Sequence, residues 1–93
     1  MTYASTYSHF QKAGVRLFEP MEGELETGEP VTFRLAVPEA EDVVVVNGKD
    51  WTHLAKEEGI FRGDVTLKKG KVQVFAKFAR EKSYQGLLEY EAV

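Results

Sequence analysis

The chain has 93 residues, 43% apolar and 29% charged, with a formal net charge of −3 and no cysteine. That length holds one domain with a core a single layer thick. The composition excludes a disordered chain, thiol catalysis and any cysteine-based metal or disulfide scaffold, and no stretch nears the roughly 20 apolar residues of a membrane-spanning helix.

Residues 1–10 carry no basic start and no apolar run, so they do not read as a secretory leader. Residues 1–13 are expected to form an extended lead-in or linker, and residues 14–93 the domain. The spacing of Tyr3, Tyr7 and Phe10 allows one amphipathic turn there. Val15 to Phe18 reads as a first strand, stopped at Pro20, and a short strand is expected near Leu25 within an acidic turn region. In the segment from Val31 to Val37, Val31, Phe33, Leu35 and Val37 fall on one face and Thr32, Arg34 and Ala36 on the other. That alternation is expected of an antiparallel strand with one wet side. Asp42 to Val46 is a β-branched run that suits a strand covered on both faces, and Asn47-Gly48 supplies a tight turn.

Trp51 to Leu54 reads as a short strand or loop, and Lys56 to Gly59 as a turn. Ile60 to Leu67 is the next strand, with Phe61, Val65 and Leu67 inward. Lys68-Lys69-Gly70 then reads as a basic hairpin tip leading into Lys71 to Phe78. In that strand Val72, Val74, Ala76 and Phe78 point inward and Phe75 outward. Tyr84 to Glu91 closes the domain, with Tyr84, Leu88 and Tyr90 on one face. Strands recurring at intervals of about ten residues, with no room for a crossover helix, read as a sandwich or small barrel, and the expected fold is an all-β antiparallel sandwich of about seven strands.

Charge is distributed unevenly. Glu19 to Asp42 contains eight acids and one base, net −7, and Lys49 to Lys82 nine bases and five acids, net +4. The two segments are expected to pair across the fold, with a basic edge offered to a partner as the alternative.

Chemistry is sparse. His9 and His53 show no metal-ligand spacing, and Ser5, Ser8 and Ser83 lie in no nucleophile motif. The glycines are scattered at turns rather than gathered in a phosphate loop. The chain is therefore read as a non-enzyme without a cofactor. An acidic domain lacking a basic-aromatic stacking motif is not expected to bind nucleic acid. Trp51 is the most pointed residue. In a loop after the valine run it serves either as a stacking platform, with Lys49 and His53 adding polar contacts, or as a cap on the sandwich. Phe75, on the wet face beside Lys77, marks a candidate interface.

Two resemblances follow from these residues. The first rests on Leu17-Phe-Glu-Pro20, Gly23-Glu-Leu25, Gly28-Glu-Pro-Val-Thr-Phe33, Val43 to Gly48, Trp51-Thr-His-Leu54, Phe61-Arg-Gly63, Gly70-Lys-Val-Gln-Val74 and Tyr84-Gln-Gly-Leu-Leu-Glu-Tyr90. Over residues 15–93 this pattern resembles the immunoglobulin-like, early-set domain found beside transglutaminase-like domains in kyphoscoliosis-peptidase-type proteins. The resemblance implies an accessory module, because in that family the catalytic group lies in a separate domain. A second, shorter pattern, Val31 to Ala40, Val43 to Val46, Trp51 and Gly59-Ile-Phe-Arg-Gly63, is similar to glycogen- and starch-binding modules. It implies glucan binding at Trp51. Those modules carry a Gly-Asp-Phe-Asn-type turn and a second platform tryptophan, where this chain has Asn47-Gly-Lys-Asp50 and a single Trp. The expected function is thus a non-catalytic module for a protein partner or neighbouring domain, with a glucan as the alternative ligand. The cysteine-free composition points to the cytoplasm, and an exposed sheet edge would permit a homo-oligomer.

Overall fold

The computed structural model describes residues 4–93, so Tyr3 lies outside the described residues. The chain runs through β1 (Ser5–Thr6), α1 (Ser8–Lys12), β2 (Arg16–Glu19), β3 (Glu24–Leu25), β4 (Pro30–Ala36) and β5 (Ala40–Asn47). It continues through β6 (Asp50–His53), β7 (Ala55–Glu57), β8 (Ile60–Thr66), β9 (Gly70–Phe78) and β10 (Tyr84–Ala92). One sheet has the order β1-β10-β9-β5-β6, with β3 also on β10; the other is β2-β4-β8-β7. Every pairing is antiparallel except β3 with β10. The result is the expected all-β sandwich. The strands of four or more residues are β2, β4, β5, β6, β8, β9 and β10, and β1, β3 and β7 add two or three residues each.

The alternating segments form the core as their pattern requires. Phe33, Leu35 and Val37 from β4 and the turn after it face Val72, Val74 and Ala76 of β9, all buried. Phe33 and Tyr90 meet edge to face across the sandwich, with ring centroids 5.6 Å apart. Aromatic pairs in this geometry add to the area that their burial removes from water. Gly63 makes room for Leu54, since a Cβ at Gly63 would lie 2.8 Å from the Leu54 Cδ2. Leu54 is the point at which the chain leaves β6 in one sheet and enters β7 in the other, and its amide donates to the Val43 carbonyl at 2.9 Å.

Residues 4–13, assigned to the lead-in, pack on the sandwich. Ala4 is buried, β1 pairs with Glu89 and Leu88, and Phe10 packs against the core. Four other expectations change. Lys68-Lys69-Gly70 is not a hairpin tip, because β8 and β9 belong to different sheets and this segment carries the chain between them. Lys56, expected in a turn, lies in β7, and the turn is confined to Glu58 and Gly59. Asn47 ends β5 rather than centring a turn, and Gly48 alone supplies the positive φ, 65°. Finally, the register of β10 shifts between Gly86 and Leu88. Leu88 and Tyr90 therefore face the core opposite Val74 and Val72, whereas Tyr84 faces outward beside Lys77. An extra residue of this kind re-aims every side chain on one side of it.

The acidic and basic segments do not neutralise one another. Among the described residues, Lys77 with Glu41 at 3.3 Å is the only lysine or arginine ion pair joining them, and His53 adds a hydrogen-bond contact to Asp42. Arg34–Glu19 and Lys68–Asp50 form within one segment each, and Glu22, Glu24, Glu26 and Glu29 are exposed. Among the described residues no helix is long and apolar enough to cross a membrane.

Candidate functional site: an aromatic sheet face

The two outer faces of the sandwich differ in chemistry. On the four-stranded sheet, Arg16 and Arg34 lie over the Phe18 ring, and Thr32 bonds Asp64 at 2.6 Å. That surface is polar, with Arg34 also paired to Glu19. The six-stranded sheet carries an aromatic row instead.

Cross-strand register builds this row. Gly86, Phe75, Val44 and His53 are aligned across β10, β9, β5 and β6, and Glu89, Gln73, Val46 and Trp51 form the next line. Val44 is fully buried although it points away from the core cluster. The face thus has a small apolar layer of its own. Gly86 admits the Tyr7 ring, because a Cβ there would lie 3.1 Å from the Tyr7 Cδ2 and 3.9 Å from the Phe75 Cε1. Tyr7 is held by its hydroxyl, which donates to the Glu89 carboxylate and accepts from the Gln73 amide at 3.2 Å.

At the other end of the row stands Trp51, on the edge strand β6 and 50% exposed. Its ring meets Tyr84 at 5.4 Å with an interplanar angle of 82°, and Phe75 at 6.4 Å with 67°. The indole is therefore braced from its inner side while half of it remains open to solvent. Tyr84 reaches over β9 to do this, and its hydroxyl donates to Asp42 Oδ2 at 2.8 Å. His53 Nδ1 lies 2.7 Å from the same oxygen. Asp42 thus anchors both polar groups beside the indole.

The bond to Asp42, followed by burial and the carboxylate charge, raises the Tyr84 phenol above its ordinary value of 10.0. Burial and the bond to Glu89 do the same for Tyr7. A folded value above the unfolded one means that the Tyr84–Asp42 bond stabilises the fold fully below about pH 10 and is lost as pH rises through the folded value. Phenolate absorbance should therefore show late-ionising tyrosines in the wild type, with one such step missing in Tyr84→Phe. Identical alkaline titration curves for the two proteins would show that Asp42 does not hold the phenol.

Candidate residues that are dispersed in the sequence come together here. Trp51, His53, Phe75 and Lys77 share this face, although Lys77 is engaged by Glu41. Lys49 does not join them. It sits in the β5–β6 turn and lines an open cleft of about 520 Å³ with Lys68, Lys69 and Lys71. A second open cleft, about 580 Å³, lies at the opposite end of β9 among Lys12, Phe78, Arg80, Glu39 and Glu81. His53 lines neither cleft, and among the described residues no group of three metal-ligating side chains occurs. Asp42 and Tyr84 were not singled out by sequence. The adjacent Leu87-Leu88 pair, both buried, is the local sign of the register shift that turns Tyr84 outward.

The chain matches no protein-family model and no curated protein.

Proposed function

We propose that this domain is a non-catalytic binding module that engages a protein partner or neighbouring domain through the outer face of its six-stranded sheet. The observation that carries this reading is Trp51, half exposed yet braced edge-on by Tyr84 and Phe75. A large ring already fixed in place loses little conformational freedom on binding, and tryptophans so placed dominate interface energetics. The early-set resemblance supports an accessory role beside a transglutaminase-like domain. The cysteine-free composition supports placing the protein in the cytoplasm.

Capture of partners from a native lysate, followed by affinity measurement on the partner recovered, tests the reading. Trp51→Ala should weaken that complex by about thirtyfold or more, the effect of removing an interface hot spot. Equal affinity for wild type and Trp51→Ala would overturn it. A glucan is the second reading, favoured by the polar Asp42–His53 pair beside the indole. Trp51 is the sole tryptophan, so its fluorescence reports maltooligosaccharide binding directly. A flat titration to millimolar sugar would remove the glucan.

A further inference from the structure

The lysine cleft adjoins the aromatic face and has an internal support. Its walls are two loops from different parts of the fold, Gly48–Lys49 between β5 and β6 and Lys68–Lys69 between the sheets. Asn47 holds them together. Its Oδ1 accepts from the Lys68 amide at 2.7 Å, and its Nδ2 donates to the carbonyls of Lys68 at 3.1 Å and Lys71 at 3.3 Å. Among the described residues Asn47 is the one buried amide side chain, and no charged side chain is buried, so the sandwich commits it to fixing these loops.

Four lysines line the cleft, with Asp50 as its one lining carboxylate. Lys68 pairs with Asp50 at 3.4 Å and Lys71 stands 3.9 Å from Glu89. Lys49 and Lys69 form no ion pair among the described residues. The cleft is therefore a local positive field on a domain with net charge −3. A short anionic segment meets that field alone, whereas a long polyanion also meets the acidic remainder. The lining has no arginine, the side chain whose fork matches phosphate. Val46 and Gln73 line the cleft and also align with Trp51, so cleft and indole form one continuous surface.

We propose that this cleft receives an acidic segment of the protein partner, with Asp or Glu carboxylates between Lys49 and Lys69 and an adjoining apolar side chain on Trp51. The inference rests on the protein-binding reading of the Trp51 face and specifies the chemistry of what binds there.

The probe is a short synthetic peptide alternating leucine and glutamate, titrated against the full chain while Trp51 fluorescence is followed. Tripolyphosphate, low-molecular-weight heparin and a leucine–lysine peptide run as parallel arms. The acidic peptide should bind, and its affinity should fall about tenfold when salt is raised from low to high. Lys49→Glu/Lys69→Glu should weaken it about tenfold again, with an unchanged melting temperature, because both side chains are solvated. Tighter binding of tripolyphosphate or heparin than of the peptide would overturn the proposal, as would equal peptide affinity for wild type and double variant. Salt-sensitive dimerisation, measured by sedimentation and abolished by the double variant, would assign the cleft to the acidic stretch of a second copy and also overturn it. If the recovered partner proves sensitive to Trp51→Ala but not to the double variant, the binding face stands and the acidic segment falls.

Discussion

Replacing Phe33 with alanine should lower the unfolding free energy by about 3–5 kcal/mol. Phe33 is fully buried on β4, which lies between β2 and β8, and its ring packs edge-on against Tyr90 from the opposite sheet. Truncation removes the ring and leaves a void that two hydrogen-bonded sheets cannot close by moving together. A domain of this size has about 5–10 kcal/mol in total, so the loss threatens folding at physiological temperature. Urea unfolding followed by circular dichroism measures the effect, and Phe33→Leu, which fills much of the void, should recover more than half of it. A melting temperature within a degree or two of wild type would show that the ring is not the junction between the sheets.

Asn47→Ala should cost about 1–3 kcal/mol by a different route. The substitution leaves a hole smaller than that of Phe33→Ala, but it strips the Lys68 amide of its acceptor at the point where the chain crosses between sheets. A backbone donor left without a partner loses the free energy of its former hydration. Asn47→Asp keeps an acceptor for that amide but turns a buried carboxylate oxygen toward the Lys68 and Lys71 carbonyls, so it should cost at least as much as alanine. Equal stabilities for all three proteins would show that water replaces the amide side chain at no cost.

Strand positions were legible in the sequence wherever one face is buried, because burial imposes a period of two. Val31 to Val37 and Val72 to Phe78 follow that period and fall where expected. Features depending on remote parts of the chain were not legible. Lys68-Lys69-Gly70 has the composition of a hairpin tip, but whether the next strand joins the same sheet depends on which edge is open, and β5 takes β9 in the other sheet. The outward turn of Tyr84 depends on one extra residue in β10. Charge pairing is limited for a similar reason: summed charge along the chain does not bring Glu22, Glu24, Glu26 or Glu29 into an ion pair among the described residues. Trp51 and Phe75 were each visible as odd residues, one in a presumed loop and one on a wet face. Their contact was not, because it arises from β5 lying between β6 and β9.

The last strand, β10, joins three partners from distant parts of the chain: β1, β3 and β9. Its outer edge is shared end to end by two short strands, each with too few residues to hold its place without it. During synthesis, therefore, neither β1 nor the acidic segment around Leu25 can settle until Tyr84 to Ala92 has left the ribosome. The domain closes late and as a unit, a consequence of non-local pairing. Until then β9 presents an open edge, and the time between completing β9 and releasing β10 is when the chain is most exposed to wrong pairing.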